Sequence, residues 1–408
     1  MAIANNNAPT LRFPSFTEEW EEKTLGEVFK TYSGGTPDTT KKKTYYGGTI
    51  PFIRSAEINK EETELFLTQE GLENSSAKLV NKGDLLVALY GANSGDSAIA
   101  KINGAINQAV LCLQSENSNV FVQNFLLHNR ELIIQKYLQG GQGNLSGEII
   151  KSIRVPFPSS KEQQKIAACL SSLDELITTA GERLDALKAH KKGLLQRLFP
   201  REGSKTPELR FAGFKGAWKE KRLGEVANVV RGGSPRPIDE YLTSDKDGLN
   251  WLKIGDISSE AKYITSTSEK VKQSALKKTR VVREGELILS NSMSFGRPYI
   301  LKISTCIHDG WIAIKDIKNE TFEEFLHYFI SSEEIQKYFK SKVAGGVVKN
   351  LKASTIQDLP ILFPSLPEQQ KIASCLSSLD TLIEAQQERI ALLKTHKKGL
   401  LQQLFPHH

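Results

Sequence analysis

The sequence predicts an α+β protein built twice. Two globular α/β-type domains are joined by two long helices that form an antiparallel coiled coil, with a pseudo-twofold internal repeat. Three observations predict it. Residues 162–200, EQQKIAACLSSLDELITTAGERLDALKAHKKGLLQRLFP, return at 368–406 as EQQKIASCLSSLDTLIEAQQERIALLKTHKKGLLQQLFP, with 28 of 39 positions identical and no gap. Both copies carry apolar residues at heptad spacing. The segments between the copies also correspond, with far more divergence. A repeat of this length marks a doubled architecture, not a solenoid unit.

The helices follow from the spacing. In the first copy Ile166, Leu170, Leu173, Ile177, Ala180, Leu184, Leu187, Leu194 and Leu198 step by four and three, interrupted by Lys191. The second gives Ile372, Leu376, Leu379, Ile383, Ile390, Leu393, Leu400 and Leu404, interrupted by Gln386 and Lys397. Such a seam needs a helical partner. A helix of this length spans about 57 Å. Residues 200–214 lead directly from the first helix into the second globular half, whose end launches the second helix, so the antiparallel partner of each is the other copy. Lys191 and Lys397 then fix the register.

The globular halves correspond in order. Residues 11–37, LRFPSFTEEWEEKTLGEVFKTYSGGTP, align with 209–235, LRFAGFKGAWKEKRLGEVANVVRGGSP, at an offset of 198 that drifts to 206 through short loop insertions. GDLLVALYG (83–91) and GELILSNSM (285–293) read as buried strands entered through a glycine turn. FVQNFLLHNRELIIQKYL and FEEFLHYFISSEEIQKYF read as amphipathic helices. Gly-rich loops and short strands ending at VPFPSS and LPILFPSLP follow. The expected division is 1–160, first globular domain; 161–200, first helix; 201–366, linker and second globular domain; 367–406, second helix.

Composition narrows the function. With 39% hydrophobic and 25% charged residues the chain is of ordinary globular type, and its net charge of +7 permits a polyanionic partner without requiring one. No apolar run approaches a membrane span or a signal core, and the four cysteines form no C-x-x-C pair, so a reducing cytoplasm is expected. Packing is the expected role of Cys169 and Cys375.

Catalytic patterns are missing. Neither D-P-P nor N-P-P, which an amino-methyltransferase uses to hold its target amine, occurs, nor does a G-x-x-x-x-G-K-[ST] phosphate loop. Asp256, Glu260 and Lys262 lie too close in sequence for a metal-nuclease set on adjacent strands, and GGQG lacks the rest of a dinucleotide fingerprint. The expectation is a protein that reads and does not react, with no catalytic residue, no metal and no cofactor of its own. A stand-alone DNA-modifying enzyme and a coiled-coil scaffold without DNA contact are the competing readings.

These features carry a resemblance. The paired EQQKIA…LSSLD…HKKGLLQ.LFP segments, with LGEV…GGTP and IPFIRSAEI in the first half and LGEV…GGSP and LNWLKIGDI in the second, resemble the DNA specificity subunit of type I restriction-modification systems. One departure is IRSAEI, where the family more usually has an acidic GDI. The resemblance implies two target-recognition domains held on an antiparallel helical pair, each reading half of a bipartite, non-palindromic site in double-stranded DNA. It implies two copies of a separate adenine methyltransferase subunit, where S-adenosylmethionine binds, and restriction subunits driven by ATP.

Loops rich in Asn, Ser, Arg and Tyr suit phosphates and base edges. The candidates in the first half are Lys41, Lys42, Lys43, Arg54, Tyr90, Asn93, Gln142 and Asn144. In the second they are Arg231, Arg236, Lys253, Asn291, Arg297, Lys349 and Asn350.

Overall fold

The computed structural model describes residues 9–115, 119–138, 144–258, 261–291, 296–343 and 351–406. They form two compact units, one of residues 1–181 with 388–408, the other of residues 182–387. The partition cuts through both long helices, Ser160–Arg197 and Leu366–Leu404, because each helix begins in one unit and ends in the other.

In unit 1, strand Glu21–Thr24 pairs antiparallel with Arg154–Phe157 and brackets the globular part. A four-stranded antiparallel sheet has the order Lys30–Ser33, Val110–Gln114, Leu85–Ala88, Ser97–Ile99. Its central strands read as continuous apolar runs because both faces are covered. Leu85, Val87, Leu111 and Leu113 face a core shared with Phe121 and Phe125, whereas Leu86, Ala88, Val110 and Cys112 face a second core. A second sheet has the order Phe66–Leu67, Tyr46–Ile53, Gly104–Ile106, Lys78–Val80, with its middle pair parallel.

Unit 2 repeats this plan. Leu249–Leu252 runs parallel to Thr305–Ile307, as Tyr46–Ile53 does to Gly104–Ile106. Each sheet gains one edge strand, Tyr263–Ile264 or Leu242–Thr243. The expected glycine turns are present: Gly83 and Gly285 hold φ of 100° and 83°, a region that strains other residues. The expected single helix in each half is instead two, Asn119–His128 with Arg130–Leu138 and Glu323–Ser331 with Glu333–Val343. In unit 1 the break falls at buried Asn129, whose amide donates to the Phe125 carbonyl at 3.0 Å. Cys112 and Cys306 are buried, while Cys169 and Cys375, expected to pack, are only half-buried.

The near-identical helical copies are explained by what their ends touch. Glu162 and Glu368, in the first turn of each helix, are each 1% exposed. Arg12 holds Glu162 through two hydrogen bonds of 2.7 and 2.8 Å, and Arg210 holds Glu368 at the same two distances. A buried carboxylate persists only when paired, and the helix N-terminus adds a favourable dipole. Gln163 and Gln369 donate to the carbonyls of Pro158 and Pro364, closing the turn before each helix.

The opposite ends carry LFP. In unit 2, Phe199 packs among Trp218, Phe325 and Phe329. In unit 1, Phe405 packs against Phe121, Phe125 and His128. Within each unit the helical segments run antiparallel. Ile166 and Leu170 share a core with Leu400 and Leu404, and Ile372 and Leu376 share one with Leu194 and Leu198. The two lysines that interrupt the seam meet aspartates that are themselves equivalent in the repeat: Lys397 pairs with Asp174 at 2.6 Å and Lys191 pairs with Asp380.

Candidate nucleic-acid interface

The motifs GGTP and GGSP hold the backbone where two strand ends converge. A Cβ on Gly34 would lie 1.7 Å from the Ile106 carbonyl oxygen, and one on Gly232 would lie 2.0 Å from that of His308. Only glycine admits this approach. The result is one ridge of hydrogen-bonded turns per unit. In unit 1, Gly34 N donates to Asn107 O, Leu89 N to Ala109 O and Leu145 N to Leu89 O. In unit 2, Gly233 N donates to Ile307 O, Asn291 N to Gly310 O and Leu351 N to Asn291 O.

On this shared backbone the side chains differ. In unit 1, Thr36 Oγ1 donates to Gln108 Oε1 at 2.7 Å, a neutral pair. Asp38 caps the turn that follows, and exposed Lys41, Lys42 and Lys43 come next, with Lys41 Nζ 3.3 Å from the Tyr45 hydroxyl. No ion pair engages these three lysines among the described residues, so their charge faces solvent. Tyr90 is 39% exposed, and Asn93 sits in a loop that Ser94 ties back to Leu89 O at 2.9 Å. Exposed Asn144 directly precedes Leu145.

In unit 2, Ser234 Oγ donates to Asp309 Oδ1 at 2.7 Å, the counterpart of the Thr36–Gln108 contact. Arg231 Nε donates to the Asp309 carbonyl at 2.9 Å, and Arg236 lies 3.5 Å from Asp309 Oδ2. The Ser234 hydroxyl, and then the charges of Arg231 and Arg236, hold the Asp309 carboxyl below its ordinary range. Burial holds the neighbouring His308 below its ordinary value, and its Nδ1 accepts from Gly310 N at 2.8 Å. The ridge thus presents a carboxylate flanked by two guanidinium groups.

The structure therefore sets Tyr90 and Asn144 beside the ridge residues Leu89 and Leu145, leaves Lys41, Lys42 and Lys43 exposed on the turn that follows Thr36, and brings Arg231 and Arg236 to Asp309 in unit 2. It places four other candidates differently from expectation. Asn291 is 2% exposed and donates to the Asp309 carbonyl at 2.9 Å, so its amide organises the ridge from inside. Arg54 binds buried Glu57 at 2.9 Å and Glu64 at 2.6 Å, and Lys253 binds Glu269 at 2.7 Å, so carboxylates already neutralise both cations. Arg297 lies over the Tyr299 ring and lines a cavity beside the helical segments of unit 2. Gln142, Lys349 and Asn350 lie outside the described residues.

The IRSAEI departure is absorbed: Arg54 N donates to the Glu57 carboxylate at 3.2 Å as Lys253 N does to Asp256 at 2.9 Å, so the longer side chain makes the same cap. Sequence reasoning missed Thr36, Gln108, Ser234 and Asp309. The signal was available in INQA (106–109) and IHDG (307–310), which follow equivalent strands.

Comparison with known proteins matches residues 17–189 and 215–395 to the type I restriction modification DNA specificity domain. The chain belongs to this family. A specificity subunit has a non-catalytic role in its restriction system, in keeping with the missing reaction motifs. One relative is the type I restriction enzyme MjaVIII specificity subunit of Methanocaldococcus jannaschii, 23% identical over 96% of this chain and 92% of that one. The fold matches the crystal structure of a type I system S subunit from M. genitalium, with a TM-score of 0.62, 18% identity and coverage of 98% of this chain and 100% of that one. A second solved structure, from work on complex assembly and conformational transition of the type I R-M system, gives a TM-score of 0.60 at 19% identity, covering 95% and 97%. Among the described residues of this specificity subunit, no cluster of His, Cys, Asp and Glu suits a metal ion, and no helix is long and apolar enough to cross a membrane.

Proposed function

We propose that this specificity subunit binds a bipartite, non-palindromic site in double-stranded DNA, with one ridge reading each half. In this reading it directs partner adenine methyltransferase and restriction subunits to that site. The globular parts at 1–160 and 201–366 serve as the target-recognition domains. The observation that carries the reading is a ridge built in both units on the same close glycine approach, the same hydroxyl contact and two equivalent main-chain hydrogen bonds, while the exposed groups on it change class, from amide and lysine in unit 1 to carboxylate and arginine in unit 2. Corresponding scaffolds with different groups suit two different sequences. Lys41, Lys42, Lys43, Arg231 and Arg236 serve phosphates or guanine edges. Gln108 suits adenine and Asp309 the cytosine amino group, with Tyr90, Asn93 and Asn144 completing the first ridge.

Two methyltransferase copies fit the duplicated helices. Leu176 and Leu382, equivalent in the repeat, are 46% and 49% exposed and offer the same apolar contact twice.

Mapping methylated sites in cells that carry the partner subunits tests the proposal. Replacing Arg231, Arg236 and Asp309 with Gln, Gln and Asn should relax or change one half-site, at about 1 to 3 kcal/mol per base contact, and leave the other half-site and the gap intact. Equal change in both half-sites would refute independent reading.

A further inference from the structure

Unit 2 contains a cavity of about 560 Å³ whose lining is strongly basic: Lys188, Lys191, Lys262 and Arg297 against only Asp380 and Glu384. The charges are not evenly balanced. Lys191 is paired with Asp380, and Lys262 lies 3.6 Å from Glu324 while donating to Tyr328 and Ser377. Both ammonium groups flank the Tyr328 ring, at 5.7 and 4.6 Å from its centroid. Lys188 and Arg297 have no ion pair among the described residues.

His327 also lines this cavity. It is 7% exposed, and its Nδ1 is buried without a hydrogen-bond partner among the described residues. A buried polar atom left unmatched in an excess of positive charge calls for an anion able to accept hydrogen bonds. Burial, reinforced by Lys262, Lys191 and Arg297, pushes the imidazole down to about 3, so it stays neutral, and a neutral imidazole donates one hydrogen bond from whichever ring nitrogen carries the proton.

We propose that this cavity binds a phosphate group, with Lys188 and Arg297 supplying charge and His327 supplying a directional hydrogen bond. A tetrahedral oxyanion suits the three donor types, and the volume leaves room for a small ester group. Unit 1 cannot do the same. The position of Arg297, whose carbonyl accepts from Ser290 N, is filled there by Asp96, whose carbonyl accepts from Ala88 N and whose carboxylate pairs with Arg130 at 2.7 Å. The inference stands apart from which bases are read.

Isothermal titration of the full chain with inorganic phosphate, at constant ionic strength against chloride, tests it. Saturable binding near one site per chain is expected. The double variant Lys188→Gln, Arg297→Gln, which breaks no ion pair among the described residues, should weaken it about tenfold or more, since each charge-assisted hydrogen bond is worth at least that factor. Lys277→Gln, outside the cavity lining, should leave it unchanged. Repeating the titration with a 20-base-pair duplex present separates the sources. Competition identifies a DNA backbone phosphate, and its absence a free phosphate or phosphoester. Heats equal to those with chloride, or a double variant that binds as the parent does, would overturn the proposal.

Discussion

Units 1 and 2 differ least where they are buried and most where they are exposed, and each kind of position has a physical reason. The Arg12–Glu162 and Arg210–Glu368 pairs share both bond lengths, and Phe405 and Phe199 fill corresponding ring clusters. These groups leave water on folding, so a changed partner is costly. On the ridges the backbone is fixed by glycine and main-chain hydrogen bonds, which leaves the side chains free to change. Hence Gln108 in one unit stands where Asp309 stands in the other. The junctions with the helices are intermediate. Asp174 has Lys397 as its partner, whereas Asp380 has both Lys191 and the Tyr328 hydroxyl, at 2.5 Å from the latter.

The largest effects should come from the shared frame and stay within one unit. Phe405→Ala should destabilise unit 1 and Phe199→Ala unit 2, each by about 3 to 5 kcal/mol. Hydrogen exchange, read peptide by peptide, checks this, and a loss spread evenly over both units would break the distinction. Next, Arg12→Met and Arg210→Met should each cost about 3 kcal/mol, because each leaves a carboxylate that is 1% exposed without its partner. Urea titrations of the two variants should show similar losses. A much smaller loss in one would mean that the matched geometry hides unequal frames.

Much of this frame was legible in the sequence because its forces are periodic or punctuated. Heptads gave the helices, alternation and glycine gave the buried strands, and the short path of residues 200–214 into the second half gave the antiparallel pairing. Lys191 and Lys397 were legible as register-fixing residues, although their aspartate partners were not, since Asp174 and Asp380 lie far off in the chain. The ridges were harder. Arg54 and Lys253 looked available because nothing in their local sequence reveals that Glu57, Glu64 and Glu269 converge on them. Asn291 looked like a loop residue, yet the Asp309 carbonyl draws its amide inward. Thr36 and Gln108 meet only because the Gly34 backbone touches Ile106, a contact 72 residues away in sequence.

The junctions allow a finer comparison. Asp380 is 16% exposed and Asp174 is 53% exposed, so removing the lysine opposite each should not cost the same. Lys191→Met is expected to destabilise by about 1 to 2 kcal/mol, because Asp380 loses its ion pair in a poorly hydrated place and keeps the Tyr328 hydroxyl and the nearby Lys262 charge. Lys397→Met should cost less than about 1 kcal/mol, since water can take over Asp174. Denaturation midpoints in low and high salt check this. The Lys397 effect should fade with salt, and the Lys191 effect should persist.

The smallest effect separates the ridges by pH. Ser234, Arg231 and Arg236 depress the Asp309 carboxyl, so its contribution to folding is present above the unfolded aspartate value, about 3.9, and is lost as pH falls through the lower folded value. The side chain is 41% exposed, and solvent screening keeps the contribution below about 1 kcal/mol. Gln108, at the equivalent place in unit 1, does not titrate. Asp309→Asn should therefore lower unit 2 stability slightly at pH 7, and the deficit should shrink as pH falls below about 3.9. Tryptophan fluorescence follows this conveniently, since Trp218, Trp251 and Trp311 lie in unit 2 and Trp20 in unit 1. A variant whose deficit grew as pH fell would show that Asp309 is held by burial and not by its hydroxyl and guanidinium neighbours. The charged ridge would then have been misread as a surface poised for DNA.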